Sequence, residues 1–288
     1  MFNSRYPIIA APMNQVSYWE FAVAVNNAGA FPSISGYCYE DIDSLIDAFE
    51  NFVKTTKSNN VIAALDDFQI VNPKVVNMLQ GLRISHVIRY RNEEYSLVRQ
   101  NNYEKMAISI LSNLPCVTIN IHNIEKSNSQ IHFLKGNNGA GRSSPDPTKE
   151  LFDRYRAKYP ELSLVPVGGI GSAEQVKYYI DQGAVAVAVG TVLAAATESC
   201  LSQGSKDAIL AASSKDIVKL DDVNKQKALT FKKFNQIDDT NHTLSLKTGI
   251  ASNGQAGHIF AGDAVDHIHS IQSVNEIIAN LGSQIKKL

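Results

Sequence analysis

The sequence predicts an α/β fold: one (β/α)8 TIM barrel spanning the chain, with a C-terminal helical extension packed on it. Three observations carry that expectation. Short apolar runs alternate with amphipathic helical segments, which implies a parallel sheet covered by helices. Two Gly-rich turns, Val167-Gly168-Gly169-Ile170-Gly171 and Val189-Gly190-Thr191, end successive runs one strand–helix unit apart. The length, 288 residues, accommodates the ~250 residues such a barrel typically takes. Within 1–288, read as a single domain, the barrel core is expected over about 5–200 and the extension over about 201–288.

Each element has its own local signal. Ile8–Ala11 is continuously apolar, as a strand buried on both faces should be. Ser17-Tyr18-Trp19-Glu20 reads as a capping box opening a helix with Phe21, Ala24, Val25 and Ala28 on one face, closed at Gly29. Phe31–Ile34 is the second strand. Ile42, Leu45, Ile46, Phe49 and Val53 make the next helix face, and Val61–Leu65 the third strand. Asn72-Pro73 is an N-cap followed by proline at the first helical position, and Gly81 ends that helix. Ile84–Ile88 is the fourth strand.

Between Glu93 and Gly136 the pattern weakens. A long helix over Glu93–Leu111 is expected, then strands Val117–Ile121 and Ile131–Leu134. Their connection is shorter than the dozen or so residues a parallel crossover usually needs. Either its helix is reduced to a turn or one strand is misplaced. Asp146-Pro147 opens a helix reaching about Lys158, and Leu164–Val167 follows as a strand. Ser172-Ala173-Glu174-Gln175 is a second capping box, Gly183 ends its helix, and Ala184–Val189 is the last barrel strand. Helix is expected from Thr191 through Glu198 and again from Lys206 to about Lys233. Ser273–Leu281 is the final helix.

Composition narrows the function classes. With 27 basic and 28 acidic residues the formal net charge is -1, without the basic excess of a dedicated nucleic-acid binder. Lys225–Lys227 and Lys232–Lys233 read as solvated helix faces. Cys38, Cys116 and Cys200 are odd in number and widely spaced, so neither a disulfide framework nor a zinc site is indicated, and a cytoplasmic location is the simplest expectation. No secretory leader is expected, because Ile8–Met13 is short and flanked by proline. Ala184–Ala196 falls short of a membrane helix. The oligomeric state is left open.

In a barrel, the two Gly-rich turns fall at the C-terminal ends of the seventh and eighth strands. Glycines there expose backbone amides and let a phosphate approach, while a helix N-terminus adds a favourable dipole. The bland alternative is that they only turn the chain. A third Gly-rich loop, Lys135-Gly136-Asn137-Asn138-Gly139-Ala140-Gly141-Arg142, leaves the sixth strand and suggests a ligand wall with Arg142 as a fixed cation. Asp66, ending the third strand, is placed either to hydrogen-bond a ligand or to cap a helix. His86 and His132 lie within strands and read as structural.

These segments together resemble nitronate monooxygenases, the 2-nitropropane dioxygenase-like proteins. Pro7-Ile8-Ile9-Ala10-Ala11-Pro12-Met13 is similar to the family's opening strand. Val165–Ser199, with Pro166-Val167-Gly168-Gly169-Ile170 and Val189-Gly190-Thr191, is similar to its phosphate-binding strands, and Gly254-Gln255-Ala256-Gly257 to a tail element. The resemblance spans most of the chain, but 93–131 matches poorly. It implies a barrel binding FMN, its phosphate on Gly169, Gly190 and Thr191 with Gly168, Lys135 and Gly136 beside it. Ala11, Pro12 and Met13 would back the isoalloxazine ring. It also implies an oxidoreductase acting on a small molecule, with NAD(P)H as a candidate electron donor.

One departure matters. The family's sixth-strand loop reads Gly-x-Glu-Ala-Gly-Gly-His, with the histidine as base. Here Gly136 matches the first glycine, Asn138 replaces the Glu, and Arg142 stands at the histidine position. A guanidinium does not take a proton at neutral pH. Two repairs are open: His122, just beyond the fifth strand, serves as base, or Arg142 binds an anionic substrate or the nicotinamide cofactor's phosphate. Two further readings remain, a non-catalytic flavin- or phosphate-binding barrel and an enzyme resembling IMP dehydrogenase and GMP reductase. The latter needs a nucleophilic cysteine in a mouth loop, and no cysteine lies in the sixth-strand loop.

Overall fold

A parallel sheet of eight strands curls on itself to give the barrel. The computed structural model describes residues 2–90, 97–121, 124, 129–221, 226–230 and 258–285. The barrel strands are β1 (Ile8–Ala10), β2 (Ser33–Ser35), β3 (Ile62–Asp66), β4 (His86–Tyr90), β5 (Val117–Ile121), β6 (Ile131–Lys135), β8 (Ser163–Val167) and β9 (Val187–Val189). They lie in the order β1-β9-β8-β6-β5-β4-β3-β2. The two ends of that order meet through a parallel bridge between Ile9 and Phe31. There Phe31 N donates to Ile8 O at 2.8 Å and Ala10 N to Phe31 O at 2.9 Å.

The helices are α1 (Trp19–Asn27), α2 (Ile42–Thr56), α3 (Asp67–Ile70), α4 (Pro73–Gly81), α5 (Leu97–Ser112), α6 (Thr148–Lys158), α7 (Ala173–Asp181), α8 (Thr191–Ala194), α9 (Gln203–Ala211) and α10 (Val274–Leu281). Alternation along each strand divides the apolar side chains into two layers. Ile9, Phe31, Ile62, Ala64, Ile88, Ile119, Phe133, Val165 and Ala188 fill the barrel interior. Leu65 and Val87 face outward onto Leu45, Phe49, Phe52 and Leu79 of the helices. On the other side, Leu164 and Val187 meet Phe152, Val176 and Ile278. The final helix α10 packs across α1, α7 and α8, which seats the C-terminal extension on the barrel.

Several local expectations meet the structure directly. Ser172 and Gln175 form the reciprocal capping box of α7, and the final helix starts after Ser273 as expected. Asn72 caps α4 with Pro73 at its first position. β5 and β6 pair in parallel, so the short connection between them joins two true neighbours.

Others are corrected. Ser17 does not cap α1. Tyr18 holds the N-cap position without a side-chain bond, and Ser17 Oγ instead accepts from Met13 N at 2.9 Å, closing the turn after β1. The fourth strand runs His86–Tyr90, two residues later than the apolar run suggests, because it pairs residue by residue with β3 up to Asp66. Helix after Thr191 stops at Ala194, where Ala195 ends it and turns follow. The expected helix over 206–233 holds only as far as Ala211. After α9 the chain forms β10 (Ile217–Asp221) and β11 (Gln226–Thr230), an antiparallel pair. β-branched Ile217 and Val218 open the first of these strands, and tertiary pairing overrides the lysines' helical preference. β11 also pairs with β12 (His258–Ile259) and with β7 (Gly141–Arg142) from the sixth-strand loop. Among the described residues no helix is long and apolar enough to cross a membrane.

Candidate active site at the barrel mouth

Every strand of a parallel barrel ends on the same face, so the loops after β1 to β9 converge at one mouth. Alternation places Ala11, Ser35, Asp66, Tyr90, Ile121, Lys135, Val167 and Gly190 in its uppermost inward layer. Ala11, Tyr90 and Ile121 pack against the interior cluster from that side.

The ends of β8 and β9 form a cradle of amides. Gly168 and Gly169 adopt φ +110° and +72°, left-handed conformations that only glycine enters without strain. This double turn leads into α7, where Gln175 Oε1 accepts from Gly171 N at 2.8 Å and Ser172 N at 3.1 Å. One strand over, Gly190 leads into α8. Among the described residues, the N–H groups of Gly169, Ile170, Thr191 and Val192 carry no hydrogen bond. A Cβ at Gly190 would come nearest to Met13 Sδ at 3.5 Å and Ala11 Cβ at 3.8 Å, ordinary contact distances, so Gly190 faces the turn after β1. Pro12 lies between those two residues, partly exposed.

The β6 loop folds down onto this cradle from one side. A Cβ on Gly169 would lie 2.6 Å from Asn138 Cβ, and one on Gly168 2.7 Å from Gly139 N. Asn138 is the hub. Its Oδ1 accepts from Thr148 N at 2.8 Å, its Nδ2 donates to Asp263 Oδ2 at 2.7 Å, and its carbonyl accepts from Asp263 N at 2.9 Å. Thr148 Oγ1 donates to the carbonyls of Val167 (3.2 Å) and Gly168 (2.9 Å). Thr191 Oγ1 accepts from Gly262 N at 3.0 Å, which leaves its hydroxyl proton available to a ligand. The segment around Gly262 and Asp263 thus ties the loop after β6 to the end of β9.

The sequence-predicted residues divide into distinct situations. Gly168, Gly169, Gly190, Thr191, Ala11 and Met13 come together on one side of the mouth. Gly136 is buried against the backbone of Thr148, where a side chain has no space. The Lys135 stem runs under the same loop, with Cε 3.4 Å from a Cβ at Gly139. Asp66 caps α3: its Oδ1 accepts from Gln69 N at 2.8 Å and Gln69 Oε1 accepts from Asp66 N at 3.1 Å, the capping alternative of its two readings. The Arg142 backbone pairs with Gln226 in the small antiparallel sheet. Its side chain, His122 and the Gly254–Gly257 motif lie outside what the structure describes.

Sequence reasoning missed Tyr90 and Asn138's partner. Tyr90 fell outside the expected strand by two residues, although it continues the inward alternation of His86 and Ile88. Asn138 and Asp263 are 125 positions apart, with no local signal linking them.

The three cysteines are free. Burial pushes the Cys38 thiol up to about 12 and the Cys116 thiol up to about 11. Cys38 Sγ donates to Met13 O at 3.7 Å. A nucleophile must be a thiolate, so neither of these two cysteines is set up as one. Among the described residues no cluster of His, Cys, Asp and Glu is arranged to hold a metal.

No family model matches the sequence, and no curated protein matches it. Solved structures do. FabK from Thermotoga maritima superposes with a TM-score of 0.77 at 19% identity, over 97% of this chain and 92% of that one. Nitroalkane oxidase from Streptomyces ansochromogenes gives 0.75 at 15% identity, over 98% and 96%. The enoyl reductase domain of MlnA, from the macrolactin biosynthesis cluster of Bacillus amyloliquefaciens, gives 0.65 at 12%, over 98% and 94%. At such identities the likeness is one of fold: the chain is a (β/α)8 barrel built along its whole length as FabK and nitroalkane oxidase are.

Proposed function

We propose that this chain is an FMN-dependent oxidoreductase, a divergent relative of the nitronate monooxygenases, acting on a small molecule at the barrel mouth. The observation that carries the reading is the amide cradle. Four N–H groups at two adjacent strand ends, Gly169, Ile170, Thr191 and Val192, lack partners among the described residues. They suit a phosphate, which accepts several charge-assisted hydrogen bonds at once. The motif resemblance of the same residues, and the fold shared with a nitroalkane oxidase and an enoyl reductase domain, support the flavin as the bearer of that phosphate.

The chain's own residues then have definite tasks. Gly169, Ile170 and Thr191 bind the phosphate. Met13 and Ala11, against Gly190, offer an apolar backing to the ring. Ser17 Oγ and Cys38 Sγ both bond Met13's backbone and fix that turn. Bound FMN supplies the electron transfer; the protein supplies position and exclusion of water. Arg142, in the position where the resembled family carries its base, recognises an anionic group on the substrate or on NAD(P)H. Free cysteines suit a reducing compartment such as the cytoplasm.

The test is steady-state oxidation of NADH and NADPH, and turnover of alkyl nitronates, by the FMN-loaded protein. Arg142→Ala is expected to raise KM for the anionic reactant about tenfold or more while FMN stays bound. Unchanged kinetics would remove Arg142 from the site. Retained FMN with none of these activities would favour the second reading, a non-catalytic flavin-binding barrel, which the missing histidine at position 142 also suggests.

A further inference from the structure

A five-residue 3-10 turn, Asp263–His267, runs along the rim of the amide cradle from one strand end to the other. It enters beside β9, where Gly262 N donates to Thr191 Oγ1 at 3.0 Å. Asp263 then latches it to Asn138, whose Cβ sits over Gly169. Ala264, Val265 and Ile268 anchor it in the core, and His267 is left exposed at its far end. There His267 lies against Gly171, the residue that follows Ile170. A Cβ at Gly171 would fall 2.8 Å from His267 Cδ2 and 2.9 Å from His267 Cβ, so the histidine occupies the room a side chain would need. Gly171 is not among the glycines in the left-handed region. Space, and not backbone conformation, is what excludes a larger residue from it.

We propose that His267 belongs to the phosphate site: its imidazolium, at the start of α7, adds a charge to the four amides and tightens the hold on a phosphate monoester as pH falls toward 6. This rests on the reading of the cradle as a phosphate site, and adds what backbone amides lack, a charge that changes with pH. Histidine is the side chain whose charge changes near neutrality. Its acidic neighbours are Glu174 of α7 and Asp266 of its own turn. Glu174 accepts from Gln284 Nε2 at 2.6 Å, and Asp266 Oδ1 from Ser214 N at 2.7 Å. Asp263 is held by Asn138. Lys215, beside Asp266, is the neighbouring cation. Among the described residues no carboxylate forms an ion pair with His267, which leaves the imidazolium to a ligand.

The test compares FMN, riboflavin and inorganic phosphate on the wild type and on His267→Gln, which stays polar and never ionises. Flavin affinities are read by fluorescence at pH 6.0 and 8.5, and phosphate binding by its shift of the melting temperature. A phosphate monoester titrates in this range too, but it does so alike for both proteins, so the ratio of their affinities isolates His267. His267→Gln is expected to bind FMN about fivefold more weakly than the wild type at pH 6.0 and equally at pH 8.5. Riboflavin should show no difference at either pH. A ratio that is the same at both pH values, or one that riboflavin shares, overturns the role of His267 and leaves the flavin reading standing. If FMN does not bind the wild type but phosphate stabilises it more than His267→Gln at pH 6.0 alone, the flavin reading falls and the assignment of His267 holds. Absence of both effects sinks both.

Discussion

Asn138 is the side chain on which the site's geometry converges. Its amide and carbonyl together hold Thr148 and Asp263, and its Cβ sits over Gly169. In the motif it resembles, that position carries Glu. A carboxylate could accept from Thr148 N but has no N–H to offer Asp263, and two carboxylates would repel there. The substitution to Asn and the presence of Asp263 are therefore matched. Asp263→Ala leaves Asn138 Nδ2 without its acceptor and releases the segment that also binds Thr191. We expect FMN affinity to fall about tenfold while far-UV circular dichroism stays unchanged. Unaltered FMN affinity in that variant would show that the latch does not position the cradle.

At the scale of elements, what could be read in advance depended on whether the signal was local. The capping box of α7, the Asn-Pro start of α4 and the paired Gly turns are written within a few residues, and they stand in the structure as expected. Ser17 shows the limit. Its Ser-x-x-Glu pattern is indistinguishable from a capping box, yet its hydroxyl serves the Met13 amide because the turn after β1 folds back on it. β10 and β11 fail for the opposite reason, since their strand character comes from pairing with each other and with β7 and β12. The site divides the same way. The glycine turns of the amide cradle are legible as spacing, whereas Tyr90 depends on the register of β4 and Asp263 on a contact across the chain.

At the scale of the whole molecule, two buried histidines set the acid limit. His86 lies at the bottom of the barrel, stacked on Phe2 at 5.0 Å and edge-on to Phe31 at 4.9 Å, with Nε2 unpartnered. Burial lowers its pKa from 6.5 to about 4, and burial also lowers that of His132. Above pH 6.5 both folded and unfolded chains hold His86 neutral, and nothing is lost. Between 6.5 and about 4 only the unfolded chain takes up the proton, so stability falls through that window, by on the order of 3 kcal/mol from His86. His86→Leu should flatten the fall measured by urea titration from pH 7 to 4, leaving the part due to His132. An unchanged slope would show that His86 does not set it.

The near-neutral charge of the chain, -1, means that attraction for the proposed anionic cofactor must be local, and the proposal places it at the strand ends of β8 and β9. The central claim is thus that this cradle binds a phosphate carried by a flavin. Equilibrium titration of the purified protein with FMN and with riboflavin, which differ only in that phosphate, tests it most directly. The account predicts one FMN per chain, bound at least about a hundredfold more tightly than riboflavin. Equal affinity for the two, or no binding of FMN, would contradict it.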